Sequence, residues 1–150
     1  MSESGLKDRL KEAMKDAMRA RDRVRLDAIR LIQAEIQRVE VDERTRLDDA
    51  RVLAVLDKMT KQRRDSAAQY RSAGREDLAA QELAEIEIIA GFLPAALTTA
   101  EIADLIDQAI AASGAGSARD MGKVMAILKP QLQGRADIGA VSAQVKARLG

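Results

Sequence analysis

Four cations near the end of the chain are the residues whose type and spacing best suit a binding chemistry. They lie within the stretch 118–137, which reads ARDMGKVMAILKPQLQGRAD, and are Arg119, Lys123, Lys129 and Arg135. Ammonium and guanidinium groups donate charged hydrogen bonds to phosphate and carboxylate oxygens. Such donors hold and orient an anion, but they need a base or a nucleophile beside them to transform it. The stretch therefore predicts an anion-binding site and no catalytic residue.

The chain has no Cys and no His, which excludes several classes of reaction. Disulfides, thiolate nucleophiles and the usual zinc sites need these residues, and so do Ser-His-Asp and Cys-His mechanisms in their ordinary form. The acidic residues alternate with Lys and Arg at helical spacing and show no convergent pair suited to acid–base work. We therefore expect no catalytic residue, no cofactor and no metal, with a magnesium site built from scattered carboxylates as the alternative.

The dipeptide Gly122-Lys123 resembles part of a phosphate-binding loop, but its neighbours do not fit that motif. The pattern G-x-x-x-x-G-K-[ST] requires a glycine at position 117 and a hydroxyl residue at position 124. The chain has Ser117 and Val124 at those positions. We therefore interpret Gly122 as a site of close helix packing.

One short helix is predicted to position the four cations. Asp120 is placed to cap its first turn, Gly134 to take the left-handed conformation after its last turn, and Asp137 to cap the following helix. Between these residues, apolar side chains recur at i, i+3, i+4, i+7 and i+11, which is the spacing of one buried stripe. The stripe consists of Met121, Val124, Met125, Leu128 and Leu132. The basic residues that fall outside it are Arg119, Lys123, Lys129 and Arg135.

Apolar periodicity predicts six further helices, of which four lie in the first part of the chain and two flank the helix just described. The first four cover 5–20, 24–42, 49–73 and 76–93, and the flanking two cover 100–112 and 138–149. Pro94 lacks an N–H and disfavours helix in the residue before it, so the chain turns there. We expect an all-α protein, with a four-helix antiparallel N-terminal domain over 1–94 and a small three-helix C-terminal domain over 95–150.

Two further features of these helices can be predicted. The helix over 24–42 carries apolar residues around so much of its surface that it needs partners on two sides. Either Asp48 or Asp49 caps the third helix, and either Thr98 or Thr99 caps the fifth.

Positive charge is concentrated at the end of an otherwise neutral chain. The formal net charge is +1, whereas 119–150 holds six Lys and Arg against two Asp. The aromatic residues are Tyr70 and Phe92 alone, so base stacking is disfavoured and RNA would be held by its phosphates. The Arg-rich run 19–25 and the cations of 58–75 are alternative contact regions, which we interpret as solvated helix surface. We expect no DNA binding.

The beginning of the chain, MSESGLKDRL, lacks the apolar core of a secretory signal. No stretch approaches the ~18 apolar residues that a membrane-spanning helix requires. These two observations favour a soluble, cytoplasmic protein with no membrane partner.

Several segments together resemble the YqeY-like, or GatB/YqeY-domain, family. They are LDAIRLIQAEIQ, the long run from KQRRDSAAQYRSAGREDLAAQE to FLPAALTTAEI, and DMGKVMAILKPQLQGRAD. The resemblance covers nearly the whole chain, and the combination of AGRxDLAxxE…FLP with DMGKVM…GRAD is quite specific. Phe92 stands where the family commonly has Tyr, which keeps the packing role and loses only a hydroxyl.

The resemblance implies a function related to tRNA. The C-terminal part is similar to the tail of the B subunit of the glutamine-dependent aminoacyl-tRNA amidotransferase, where it helps to hold tRNA. On this basis we expect a tRNA-binding accessory protein that uses Lys123, Lys129 and Arg135. Two alternatives remain: a module that docks on an aminoacyl-tRNA synthetase or amidotransferase, and a component of a glutamine-dependent carbon–nitrogen ligase. The amidase and phosphorylating domains of the full enzyme have no counterpart in the sequence.

Overall fold

The computed structural model describes residues 5–150, and this part of the chain consists of helices joined by short turns. The helices are α1 (Leu6–Ala20), α2 (Arg23–Glu43), α3 (Asp49–Ser72), α4 (Glu76–Ala90), α5 (Thr99–Ser113), α6 (Met121–Leu132) and α7 (Ile138–Leu149). A 3-10 turn, Ala118–Asp120, precedes α6. No strand occurs among the described residues, so the prediction of an all-α protein is confirmed. Residues 1–4, which begin both the predicted first domain and the stretch inspected for a signal, lie outside the described residues.

The described residues form two compact units. The N-terminal unit ends at Leu93, and the C-terminal unit runs from Pro94 to Gly150. A domain must also be able to fold by itself. The division into domains 1–94 and 95–150 therefore stays a prediction.

An ion pair shows that α1 and α2 of the N-terminal unit run antiparallel. Lys7 near the start of α1 pairs with Glu40 near the end of α2. Arg51 near the start of α3 lies 2.7 Å from Glu43 at the end of α2. The core between the helices is aliphatic, because the apolar stripes of α1, α2 and α3 meet there. Its fully buried members include Leu10, Ile29, Ile32, Val52, Leu56 and Ile89.

The carboxylates of two adjacent aspartates accept backbone N–H groups at the starts of two different helices. The Asp48 carboxylate accepts a hydrogen bond from the Arg51 N–H at 2.9 Å and so caps α3. The Asp49 carboxylate instead accepts from the Leu6 N–H at 3.0 Å, at the first residue of α1. The sequence left open which of the two caps α3, and the structure gives that role to Asp48.

The second half of α3 extends past the core and pairs with α4 alone. Beyond Thr60, the only buried side chain of α3 is Ala67. Arg63 Nε donates to the Glu85 carboxylate at 2.6 Å and links the two helices. Gly74 lies in the turn between α3 and α4 and has φ +75°, a conformation that favours glycine. The second half of α3 is therefore mostly exposed, which agrees with the interpretation of its cations as solvated helix surface.

The C-terminal unit packs α5, α6 and α7 around its own apolar core. The predicted stripe of α6 supplies most of it, with Val124, Leu128 and Leu132 fully buried. Ile106 of α5 and Val141 and Val145 of α7 complete the centre. Thr98 begins α5 with a full capping box, in which its hydroxyl accepts from the Glu101 N–H and the Glu101 carboxylate accepts from the Thr98 N–H.

Candidate nucleic-acid interface

The 3-10 turn before α6 changes the role predicted for Asp120. Its carboxylate accepts a hydrogen bond from the Gly116 N–H at 3.0 Å and makes no capping bond to α6. The prediction of Asp120 as the α6 cap is therefore wrong, because the carboxylate turns back onto the preceding loop. This bond from Gly116, aided by Lys123, holds the pKa of Asp120 below its ordinary value. Ser117 caps the 3-10 turn by accepting from the Arg119 N–H at 3.3 Å.

Gly122 is exposed, and a side chain there would meet no atom within 4 Å. The interpretation of Gly122 as a site of close helix packing is therefore wrong. The residue lies off the buried stripe of α6, so no neighbouring helix approaches it.

Lys123 and Lys129 both project from α6, but in different directions. They are six residues apart, which separates them by about 120° around the helix axis. Lys123 is largely exposed, and its Nζ lies 3.7 Å from the Asp120 carboxylate, a distance that indicates a weak pair. Lys129 is exposed and has no ion pair within the described part of the chain. The two lysines therefore present charge over a broad surface and do not converge on one point.

Arg135 is half-buried and holds two segments of the C-terminal unit together. Its Nε donates to the Ala95 carbonyl at 3.0 Å, and its own carbonyl accepts from the Leu97 N–H at 2.9 Å. These bonds tie the segment before α5 to the turn after α6. Gly134 in that turn has φ +77°, and Asp137 then caps α7, as predicted for both. The structure therefore gives Arg135 a positioning contact, and its role in RNA binding stays a prediction.

Three other basic residues complete the set of cations in this unit. Arg148 pairs with Asp107 of α5 and also reaches the Ala103 carbonyl at 3.5 Å. Arg119 and Lys146 are exposed and, like Lys129, have no ion pair to any carboxylate that the structure describes. We call Arg119, Lys129 and Lys146 the free cations. The sequence analysis places Arg119 among the cations of the helix and Lys146 in the basic end of the chain, and it assigns neither to the tRNA site. A sequence signal was present, because no Asp or Glu lies three or four positions from any of the three free cations.

The carboxylates of the same unit are mostly occupied by internal bonds. Glu101 belongs to the capping box, and the Thr98 N–H, as the largest contribution, lowers its pKa. Asp107 and Asp120 are bonded as described above, and the Asp137 carboxylate accepts from the Gly139 N–H at 3.0 Å. Asp104 is the one carboxylate in this unit with no hydrogen bond or ion pair among the described residues. The surface therefore offers more unpaired positive charge than its net charge suggests.

Two of the four arginines in the run 19–25, Arg19 and Arg25, contact other side chains of the described residues. Arg19 lies 2.7 Å from the Asp16 carboxylate, and Asp22 caps α2 by accepting from the Arg25 N–H. The Arg25 guanidinium lies 5.7 Å from the centroid of the Phe92 ring, on which Arg9 also packs at 5.8 Å. Phe92 is buried, which agrees with its predicted packing role.

The groove beside Arg9, Arg25 and Phe92 is lined by both positive and negative side chains. Its volume is about 340 Å³, and Arg9 and Arg25 line it together with the carboxylates of Asp8, Glu12 and Asp16. Because the three carboxylates repel phosphate, the groove is a poorer candidate for RNA than the C-terminal unit.

The cations at the far end of α3 are partly paired as well. Arg71 lies 3.5 Å from Glu76, and Arg75 lies 3.1 Å from Asp77. Lys58, Lys61 and Arg64 are exposed and have no ion pair in the part of the chain that the structure describes. These three lysine and arginine residues form the alternative contact region. Across residues 5–150, no group of three or more acidic side chains is arranged to hold a metal ion. None of the helices described here is long and apolar enough to cross a membrane.

The fold and the site define an all-helical protein whose C-terminal three-helix unit exposes unpaired cations. The chain belongs to the family described as Yqey-like protein, which matches residues 7–149. This confirms the family resemblance found in the sequence segments.

The chain is similar to several proteins named "Altered inheritance of mitochondria protein 41, mitochondrial". The one from Pyrenophora tritici-repentis is 30% identical over 145 residues, which cover 95% of this chain and 80% of the relative. Those from Vanderwaltozyma polyspora and Kluyveromyces lactis are 34% and 36% identical over 85 and 84 residues, covering 56% and 55% of this chain. The matched parts span 46% and 45% of those two relatives, so the chain covers less than half of their length.

The names of these relatives overturn the expectation of a cytoplasmic protein, because they are given as mitochondrial proteins. That expectation rested on the lack of an apolar signal core. Segments that direct proteins to mitochondria are amphipathic and Arg-rich. The absence of an apolar core therefore had no bearing on a mitochondrial location.

Proposed function

We propose that this protein binds tRNA as an accessory factor, through contacts between the C-terminal unit and the phosphates of the folded tRNA. The observation that carries the proposal is the unequal pairing of charges in that unit. Apart from Asp104, its Asp and Glu carboxylates cap helices or pair internally, whereas Arg119, Lys129 and Lys146 remain exposed without ion pairs among the described residues. Unpaired cations that meet phosphates release counterions, and this release drives binding.

Recognition in this proposal is directed by phosphates and shape. The two aromatic residues of the chain, Tyr70 and Phe92, both lie in the N-terminal unit, and Phe92 is buried. The C-terminal unit therefore has no ring on which a base could stack. Contacts to the sugar-phosphate backbone position a protein without reading a base sequence.

The free cations make the phosphate contacts in this proposal. Lys123 and Arg135, which the sequence also assigned to tRNA binding, have different roles. Lys123 joins the free cations once its weak pair with Asp120 yields to a phosphate. Arg135 acts as a positioning residue, because its bond to the Ala95 carbonyl fixes the turn between α6 and α7.

Fluorescence anisotropy with labelled tRNA tests the proposal, with mitochondrial tRNA included because the relatives are named as mitochondrial proteins. The variant Arg119→Ala/Lys129→Ala/Lys146→Ala should bind tRNA at least about tenfold more weakly than the wild type, since three phosphate contacts are lost. The matched control is Lys58→Ala/Lys61→Ala/Arg64→Ala, which removes the same charge from α3 and should bind nearly as the wild type. Equal binding by the first variant and the wild type would overturn the proposal. A loss confined to the control would move the interface to α3.

The two alternative functions, a docking module and a component of a carbon–nitrogen ligase, predict different results for the wild type and the triple variant. A module that docks on a synthetase or amidotransferase would bind that purified enzyme equally well with and without the three free cations. A component of a carbon–nitrogen ligase would be required for glutamine-dependent amidation in a mixed assay. No observation in the structure favours either alternative over tRNA binding.

A further inference from the structure

The face of α2 that points away from the core is unusually apolar for a solvent-exposed helix surface. Val24, Leu31 and Val41 are 61%, 48% and 67% exposed. The core side of the same helix is formed by Ala28, Ile29, Ile32 and Ile36. The sequence predicted that this helix needs partners on two sides. In the structure, α1, α3 and α4 all pack against the core side of α2, and the face that carries Val24, Leu31 and Val41 has no partner among the described residues.

The exposed apolar residues follow the spacing of a coiled-coil seam. Positions 24, 27, 31, 34, 38 and 41 alternate steps of three and four residues, which is the a/d pattern of the heptad. They are occupied by Val24, Asp27, Leu31, Ala34, Arg38 and Val41. We call these six residues the outer stripe of α2. Helical spacing of about 100° per residue places the stripe almost opposite the core side.

The outer stripe is complementary to itself in the antiparallel direction. When two copies of α2 are aligned head to tail about the midpoint between Leu31 and Ala34, each position meets the one that mirrors it. Val24 then faces Val41 of the second copy, and the larger Leu31 faces the smaller Ala34. Asp27 faces Arg38, so the single charged layer joins opposite charges.

The parallel direction lacks this complementarity. It would place Asp27 against Asp27 and Arg38 against Arg38 of the second copy, and like charges in a seam oppose pairing. Asp27 is exposed and has no hydrogen bond or ion pair among the described residues. Arg38 uses three of its N–H groups on Glu35 and Asp42, which leaves two of its five donors for another carboxylate.

We propose that the protein self-associates through the outer stripe of α2, as a two-fold symmetric antiparallel dimer. The interface is isologous, because the same surface of each copy provides both halves of every layer. A single helix pair buries less surface than a standard interface, so dissociation in the micromolar range is expected. The inference is independent of tRNA binding, which involves the other unit.

Sedimentation velocity of the full-length chain at increasing concentration measures the dimer. The wild type should shift from monomer to dimer, and Leu31→Glu should weaken dimerisation by at least about tenfold because it buries a charge at the centre of the seam. The matched control is Met18→Glu, at an exposed apolar residue of α1 that the seam does not include. Circular dichroism confirms that each variant keeps its helices. A wild type that stays monomeric up to about 1 mM, far above micromolar dissociation, would overturn the proposal.

The direction of the pair is tested by cross-linking, because the chain has no cysteine of its own. An oxidised mixture of Val24→Cys and Val41→Cys chains should form disulfide-linked heterodimers. Val24→Cys alone should not cross-link, since the two sites in an antiparallel pair lie about 25 Å apart along the axis. Efficient cross-linking of Val24→Cys with itself would indicate a parallel pair and would contradict the proposed arrangement.

Charge reversal provides a second test of the same register. Asp27→Arg alone should weaken the dimer, because it places two cations in one layer. The double change Asp27→Arg/Arg38→Asp should restore it. Failure of the double variant to recover dimerisation, with helix content unchanged, would count against this layer.

Discussion

At the scale of single residues, the bonds that a cation already makes decide what it is free to do. Lys129 and Arg135 belong to the same basic end of the chain and carry the same charge. Lys129 is exposed without an ion pair, whereas the Arg135 guanidinium is held by a backbone carbonyl 40 residues away in the sequence. Replacing Lys129 should therefore weaken tRNA binding, and replacing Arg135 should lower the stability of the C-terminal unit.

Arg135→Ala should lower the stability of the C-terminal unit by about 1 kcal/mol, because it removes the hydrogen bond to the Ala95 carbonyl. Thermal unfolding followed by circular dichroism measures the change. Lys129→Ala is the matched control and should stay within about 0.5 kcal/mol of the wild type. A larger loss for Lys129→Ala than for Arg135→Ala would contradict these assignments.

Glu40 should make the stability of the N-terminal unit depend on pH. Hydrogen bonds from Lys7, and then from the Leu47 N–H at 2.8 Å, hold the pKa of Glu40 below its ordinary value of 4.5. A lowered native pKa means that this stabilisation is fully present above pH 4.5 and is lost as the pH falls through the native value.

The change Glu40→Gln should therefore lower Tm at neutral pH, and the difference from the wild type should shrink as the pH falls below 4.5. Glu87→Gln is the control, since Glu87 is exposed on α4 and has no bond to another described side chain. A Tm difference for Glu40→Gln that stays constant between neutral and acidic pH would show that the charge of Glu40 is not involved.

At the scale of helices, four of the seven described α-helices begin at a side chain that accepts backbone N–H groups. Thr98 and Glu101 form both halves of a capping box at α5. The Asp48 and Asp137 carboxylates cap α3 and α7 by accepting backbone N–H groups, without the reciprocal bond of a capping box. Because helices of this length are marginal on their own, such caps contribute to where each helix begins.

Thr98→Ala should destabilise the C-terminal unit by about 1 kcal/mol, because the Glu101 N–H loses its acceptor. Chemical denaturation, followed by the helical signal, provides the measurement. The neighbouring Thr99→Ala is the matched control, since Thr99 is exposed and is not the capping residue. If both variants lose the same stability, the capping box is not the cause.

Sequence reasoning predicted the local features of these elements and missed those that depend on distant residues. The Asp137 cap and the left-handed Gly134 were predicted, because each depends only on the residues beside it. The Asp49 bond to the start of α1 spans 43 residues, and no local pattern indicates it. Asp120 was wrongly assigned because an extra 3-10 turn redirected its carboxylate to Gly116.

In the candidate site, too, contacts between residues far apart in the sequence could not be predicted. The sequence located the basic end of the chain but not which of its cations remain unpaired. Arg148 is neutralised by Asp107, which is 41 positions away in the sequence, so counting charges overstated its availability. Lys123 has Asp120 three positions before it, so its weak pair could have been predicted from helical spacing.

At the scale of the whole molecule, each unit has a separate apolar core. Leu56 is fully buried in the N-terminal unit, and Leu128 is fully buried in the C-terminal unit. Separate cores allow one unit to open while the other stays folded, which is the behaviour expected of two domains.

Leu128→Ala should cost about 2–5 kcal/mol through the cavity that it leaves. Hydrogen exchange should then show faster exchange for amides of α5, α6 and α7, with those of α1 to α4 unchanged. Leu56→Ala should give the reverse pattern. Uniform loss of protection in both variants would show that the chain unfolds as one cooperative unit and would contradict the division into domains.

The central claim is that unpaired cations of the C-terminal unit bind the phosphates of tRNA. The most direct measurement is the slope of log Kobs against log salt concentration for tRNA binding by the wild type and by Arg119→Ala/Lys129→Ala/Lys146→Ala. Each phosphate contact contributes about one to this slope, so the variant should show a slope shallower by about two to three. Identical slopes for the two proteins would contradict the claim, whatever their affinities.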